Sequence, residues 1–244
     1  RSSDLALGVS PSQYWGRLFQ MLLDEINEKH VLAYFHDSKT QKAAEAFNLA
    51  GRIMTASESA AVLKYDGSAA WDYLHISNSN MAGQKANLFT KETFEKEVIV
   101  NDDGTITTKL TVVYDNSYPG SDCNLERGGL CLNAPLRNWV RVYVPKGSTL
   151  VSSKGTISPK EAKAREMITY DSLDKTVFEG FLVVNPLSTS RLELEYISPV
   201  KSGDGIYRLL IQKQPGTDGQ KVTLRVKGKK VQEFELVSDT EVVL

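Results

Sequence analysis

The chain has 244 residues, 41% of them hydrophobic and 24% charged, and a formal net charge of −1. A chain of this length buries roughly 70% or more of its unfolded surface, so it folds without needing a metal or disulfide staple. The near-neutral balance excludes the clustered-cation footprint of a nucleic-acid binder, and no run approaches the ~20 apolar residues of a membrane span, so no membrane insertion by this chain is expected. It opens at Arg1 rather than Met and shows no signal-peptide pattern; an export signal or membrane anchor is expected upstream.

Ser10-Pro11 starts a helix, with a hydroxyl cap followed by proline at the first helical position. Tyr14, Leu18, Met21, Leu22 and Ile26 then recur at three- and four-residue spacing to about Lys29. Val31 to Phe35 reads as a short buried strand. Asp37 or Ser38 caps a second helix that ends at Gly51, residues 52–70 give only a helical turn near Ser57 to Leu63, and Trp71 to Ser77 reads as a strand. The alternation marks residues 1–88 as a small α/β unit.

The period then changes from helical to strand-like. Phe94 to Val100 and Ile106 to Tyr114 flank Asn101-Asp102-Asp103-Gly104, a hairpin signal. Further strands are read at Trp139 to Val144, Thr176 to Val184, Arg191 to Ile197, Ile206 to Gln212, Lys221 to Val226 and Val231 to Val237, with residues 159–166 a charged loop or one helical turn. Strands spaced about ten residues apart with turn formers between them are the sandwich pattern. The fold class expected is α+β: a helix–strand–helix–strand unit over 1–88, then an antiparallel β-sandwich of immunoglobulin-like architecture over 89–244.

Chemistry-bearing motifs are sparse. The sequence holds no nucleotide-binding loop, nucleophile elbow or His-Glu-x-x-His helix, and His30, His36 and His75 lack ligand spacing; no catalytic residue, metal or cofactor is expected. Asn101, Asp102 and Asp103 offer oxygen atoms, but an EF-hand needs acids beyond the glycine where Ile106 and Leu110 continue a strand. Glu193 and Glu195 lie two apart on a strand, opposite the face of Leu192, Leu194 and Tyr196, as an exposed face does. Lys227, Lys229 and Lys230 around Gly228 read as a solvated turn. Cys123 and Cys131 sit in a polar loop with Gly128 and Gly129 between them. The choice is two free thiols or a disulfide, and the disulfide is favoured because free cysteine normally hides in a core; it would add about 2.5 kcal/mol at most and imply an oxidising compartment.

The segment from Ser77 to Asn87 carries amides, a lysine and a glycine. Asn78, Asn80, Lys85 and Asn87 are the candidate ligand-binding residues, because paired amide donors and acceptors suit sugars and polar ligands. The same groups also satisfy a long connection's own backbone.

Several segments in the same order resemble a known family: Lys29 to Gly51, the amide segment with Asn80, Gly83, Lys85 and Asn87, Asn138 to Leu150, and Ile206 to Gly219 with Gln212, Gln214, Pro215 and Gly216. Together they are similar to the C-terminal half of the bacterial domain of unknown function 4012. That resemblance implies the outer part of a cell-envelope protein tethered by an upstream membrane helix. It brings no catalytic roles. The family's N-terminal half is in turn distantly similar to LytR-CpsA-Psr glycopolymer transferases. Two functions are therefore expected as alternatives: a non-catalytic extracytoplasmic binding module for cell-wall glycan or another envelope protein, or the accessory C-terminal domain of an envelope transferase whose catalytic part lies upstream. A spacer that holds something off the membrane is the blander reading.

Overall fold

In the computed structural model, residues 11–55, 58–59, 70–200, 206–228 and 231–244 are described. The turn expected near Ser57 to Leu63 lies largely outside them, as do Lys229 and Lys230. The chain divides into two compact units, one of Arg1–Ile53 with Pro215–Asp218 and one of Met54–Gln214 with Gly219–Leu244.

The first unit contains α1 (Pro11–Asn27) and α2 (Ser38–Ala46). Asp37 caps α2, its Oδ2 accepting from the Thr40 N–H at 2.8 Å and the Thr40 hydroxyl at 2.7 Å. The polypeptide leaves α2 through Asn48 and Gly51, both at positive φ. A Cβ at Gly51 would lie 2.7 Å from a Leu32 methyl, so glycine is required on both counts. The strand expected at Val31 to Phe35 does not form. Among the described residues of this unit there is no sheet edge to pair with it, and the backbone makes isolated contacts: Val31 N–H donates to Glu25 O, Ala33 N–H to Leu49 O, and Phe35 N–H to the Gln41 side chain. The apolar stripe of α1 is exposed, Trp15 and Phe19 each by more than 60%. No helix among the described residues is long and apolar enough to cross a membrane.

The second unit holds twelve strands: β1 (Ala70–Asn80), β2 (Lys91–Val100), β3 (Ile106–Asn116), β4 (Leu136–Pro145), β5 (Thr149–Lys154), β6 (Ile168–Ser172), β7 (Lys175–Val184), β8 (Ser188–Ser198), β9 (Tyr207–Gln212), β10 (Gln220–Val226), β11 (Gln232–Leu236) and β12 (Thr240–Val243). They form two six-stranded sheets, β12-β9-β1-β4-β7-β6 and β11-β10-β2-β3-β8-β5. Read side by side, the two orders place each strand at the same position as its chain neighbour in the other sheet, so the chain repeatedly arches from layer to layer. The β-sandwich is thus present, with two corrections. The strand expected inside the first unit is β1, paired with β4 and β9 near the middle of a sandwich sheet, so the strand series begins at Ala70 and not at 89. The sheets are mixed and not antiparallel throughout, because β1 runs parallel to β9 and β2 parallel to β10.

The period-2 alternation explains the layers. Leu74 and Ile76 of β1, Val140 and Val142 of β4, and Phe178 and Leu182 of β7 face Phe94 and Val98 of β2, Leu110 and Val112 of β3, and Leu192 and Leu194 of β8 in one core. Glu193 and Glu195 alternate with that buried set, on the outer face. The Asn101–Gly104 turn joins β2 to β3 as the sequence predicts, with Gly104 N–H donating to Asn101 O at 2.9 Å. The side chains there serve the turn itself: Asp103 Oδ1 accepts from the Thr105 N–H and hydroxyl. The edge strands β5 and β6 and the short β12 went unread, because β5 and β6 bury almost nothing and carry no apolar alternation.

Candidate functional site

The amide segment divides in two. Asn78 turns into the sandwich at the end of β1, where its Oδ1 accepts from the Tyr114 hydroxyl at 2.8 Å and from Asn138 Nδ2 at 2.7 Å, and its Nδ2 donates to Glu92 Oε2 at 2.8 Å. Asn80 holds its own connection, donating to Gln84 O at 2.7 Å and accepting from Ala82 N–H at 3.0 Å. These two side chains are committed to structure. Lys85 and Asn87 stay exposed, and Asn87 Oδ1 accepts from Asn80 Nδ2 at 3.4 Å. The four residues therefore do not converge on one site. Cys123 and Cys131 form a disulfide, with an S–S distance of 2.00 Å, and tie off the β3–β4 connection. Inside it a Cβ at Gly129 would lie 2.4 Å from Asp122 O, so the loop closes only around glycine. The histidines are scattered: His30 lies 3.5 Å from Glu28, His36 stacks edge-on with Tyr34, and His75 is buried with Nδ1 2.8 Å from Gln212 O.

The constellation that best suits a ligand lies elsewhere, on the outer face of the first sheet. Because Leu136, Asn138, Val140 and Val142 point inward, Arg137, Trp139, Arg141 and Tyr143 of β4 point out. Across the register on β7 stand Val183, Phe181, Glu179 and Val177. Trp139 and Phe181 pack at 5.9 Å with a 57° tilt, and the Arg137 guanidinium lies 5.3 Å over the Phe181 ring. Arg141 Nε donates to Glu179 Oε2, which also accepts from the Tyr170 hydroxyl of β6 at 2.8 Å. Burial pushes the Glu179 carboxyl up, but the bonds from Arg141 and Tyr170 outweigh it and hold the group below its ordinary value.

The segment 155–167 supplies the wall. Ile157 N–H donates to Phe181 O, continuing along β7 the pairing that β6 makes further down. Thr156 and Met167 fit over Gly180, where a Cβ would meet Thr156 Cγ2 at 2.6 Å. The result is a groove of about 200 Å³, floored by Trp139, Glu179 and Phe181 and walled by Thr156, Ile157, Pro159, Arg165, Glu166 and Ile168. Arg165 and Glu166 are exposed on the wall. The Trp139 indole N–H is buried at this floor beside the Glu179 carboxylate, which it helps to hold in the charged form. An aromatic floor and a rim of both charges suit a polar chain with a flat apolar face, such as a sugar. The sequence reading treated Trp139 to Val144 only as a strand and 159–166 only as a loop or helical turn. The available signal was that the large aromatic and the arginines fall on the phase opposite the valines.

Two polar clusters also lie between the sheets. Asp72 of β1 and Lys96 of β2 form an ion pair at 2.9 Å with both side chains fully buried. Tyr207 donates to Asp72 Oδ2 at 2.7 Å, and Lys96 donates to the Tyr196 hydroxyl at 2.9 Å and Thr108 Oγ1 at 3.2 Å. Burial opposes the Lys96 charge, but Asp72 and Tyr196 outweigh it and raise the group above its ordinary value. The second cluster is that of Asn78, Glu92, Tyr114 and Asn138.

No family model matches the chain, and no curated protein matches it. Among solved structures it is similar to a candidate nutrient binding protein from Legionella pneumophila, at 8% identity over 63% of this chain and 54% of that one, with a TM-score of 0.31. It is also similar to an M1 zinc metallopeptidase variant from Deinococcus radiodurans bound to a Tyr-Ser-Ala substrate, at 12% identity over 56% and 32% of the two chains and a TM-score of 0.31. For the M1 zinc metallopeptidase of the same organism the values are 11%, 65%, 32% and 0.27. The chain thus spans about half of the first protein and a third of the peptidase. Overlaps this slight identify neither a fold family nor an activity.

Proposed function

We propose that this chain is a non-catalytic binding module of a bacterial cell envelope that takes a segment of cell-wall glycan into the groove on its first sheet. The observation that carries the reading is the Trp139–Phe181 aromatic floor, set beside the Arg141–Glu179 pair and open to an exposed arginine and glutamate. A flat apolar face flanked by charged groups suits the two sides of a sugar ring. The Cys123–Cys131 disulfide supports an extracytoplasmic location. The similarity of the segments from Lys29 to Gly219 to the domain of unknown function 4012 supports tethering at the cell surface by an upstream helix. The architecture belongs in this proposal to the broad immunoglobulin-like class of two-layer sandwiches, with one parallel pair added to each sheet. Lys85 and Asn87 are the members of the amide segment that remain open to solvent.

An array of bacterial cell-wall glycans probed with the chain tests the proposal. Binding to glycan by the wild type, weakened about tenfold or more in Trp139→Ala as expected for a central aromatic anchor, is the expected result. Binding of equal strength in both, or turnover of a glycosyl-pyrophosphate lipid by the chain itself, would sink it.

A further inference from the structure

The polar cluster at the end of β1 is short of donors, with the Gln220 side chain a further amide beside Glu92. Asn78 Nδ2, Asn138 Nδ2 and the Tyr114 hydroxyl are all spent on Asn78 Oδ1 or Glu92 Oε2. Two acceptors in the same cluster, Glu92 Oε1 and Asn138 Oδ1, are buried with no hydrogen-bond partner. Buried acceptors left in this state are rare in folded proteins. A proton on Glu92 turns one orphan acceptor into a donor.

We infer that Glu92 is a proton-gated latch, neutral when the end of the sandwich is closed and forced to admit water when its carboxyl ionises. Its surroundings offer a carboxylate amide donors but no cation. From β1 it is faced by Asn78, from β3 by its register partner Tyr114, from β4 by Asn138 and from β10 by Gln220, all of them neutral groups. Lys91 before it on β2 is exposed. Lys96, the buried cation on the same face of β2, lies four residues on, about 13 Å along a strand, and is held by Asp72. Burial accordingly pushes the Glu92 carboxyl from 4.5 to about 7, against the pull of Gln220 and Asn78. Ionisation therefore falls in the range where modest pH changes act.

The latch has a defined lever. Asn78, which Glu92 accepts from, is also clamped through its backbone: its N–H donates to Gln214 Oε1 at 2.7 Å, and its carbonyl accepts from Gln214 Nε2 at 3.0 Å. Asn78 so joins the end of β1 to the segment that follows β9. Loss of the Glu92 proton loosens this clamp, while the Asp72–Lys96 pair holds the sandwich further in.

Titration of the Glu92 side-chain carbon by NMR in the full chain tests the inference, together with thermal unfolding and hydrogen exchange at the Asn78 amide. The expected midpoint is near 7, with Asn78 exchange accelerating through it beyond the intrinsic pH effect. Glu92→Gln mimics the neutral acid; its melting temperature is expected to exceed that of the wild type at pH 8 and to lack the decline the wild type shows on raising the pH from 5 to 8. A midpoint in the ordinary carboxylate range, or parallel declines in both proteins, would overturn the inference. So would stabilisation of the wild type but not of Glu92→Gln by calcium or sodium at pH 8, which would make the orphan oxygens cation ligands.

Discussion

Two of the ion pairs that bridge strands of this molecule are built to opposite ends. Asp72–Lys96 is sealed between the sheets, with Tyr207 and the Tyr73 N–H closing on the carboxylate and Tyr196 and Thr108 on the ammonium. Arg141–Glu179 lies on the outer face of the first sheet with Arg141 about 39% exposed, and its carboxylate forms the floor of a groove beside the Trp139 and Phe181 rings. A pair with no open side specifies how two layers stack. A pair with an open side beside an aromatic floor is positioned to receive something.

The contrast is broken most directly by cutting the sealed pair. Lys96→Met leaves Asp72 buried and uncompensated and is expected to cost about 3–5 kcal/mol in urea unfolding, with glycan affinity unchanged where the protein remains folded. A weak stability effect would mean that the pair is hydrated. The Glu92 cluster gives the next largest effect. A folded-state carboxyl raised above its unfolded value contributes stability that is fully present below the unfolded value and is lost as pH rises through about 7. Glu92→Gln should therefore stabilise the protein at pH 8 by something on the order of 1–3 kcal/mol, measured by the same unfolding curves. Reducing or replacing the Cys123–Cys131 bridge, which closes only a small loop, should cost about 2 kcal/mol or less and leave the groove untouched. The smallest stability change belongs to the open pair: Glu179→Gln should cost about 1 kcal/mol or less and yet weaken glycan binding, which separates binding from stability.

Much of the sandwich was legible because its strands alternate. Val140, Val142, Leu192, Leu194, Val222 and Leu224 announce a core face by period alone, and Asp103-Gly104 announces a hairpin. The pairing partners were not legible. Nothing local in Trp71 to Ser77 says that it runs parallel to β9, well over a hundred residues away, so the strand was assigned to its helical neighbours. Val31 to Phe35 shows the reverse error, since a strand-like run forms no strand when no edge is beside it. The groove was hidden for the same reason as the topology. Trp139, Phe181 and Ile157 meet only after β4 pairs with β7 and the 155–167 segment lies along it. Lys96 did leave a trace, because a lysine in phase with Phe94 and Val98 on a core face needs a buried carboxylate partner. Asn78 shows why an amide-rich segment is a weak sign of binding: its donors and acceptors were already taken by Tyr114, Asn138 and Glu92.

The binding proposal stands or falls on one proton. The indole N–H resonance of Trp139, followed by NMR as a cell-wall glycan is added to the chain, reports directly on the floor of the groove. We expect that resonance to shift on saturation, while the indole signals of Trp15 and Trp71 stay in place. A glycan that binds without moving the Trp139 signal, or no glycan that moves it at all, would contradict the assignment of the groove as the binding site.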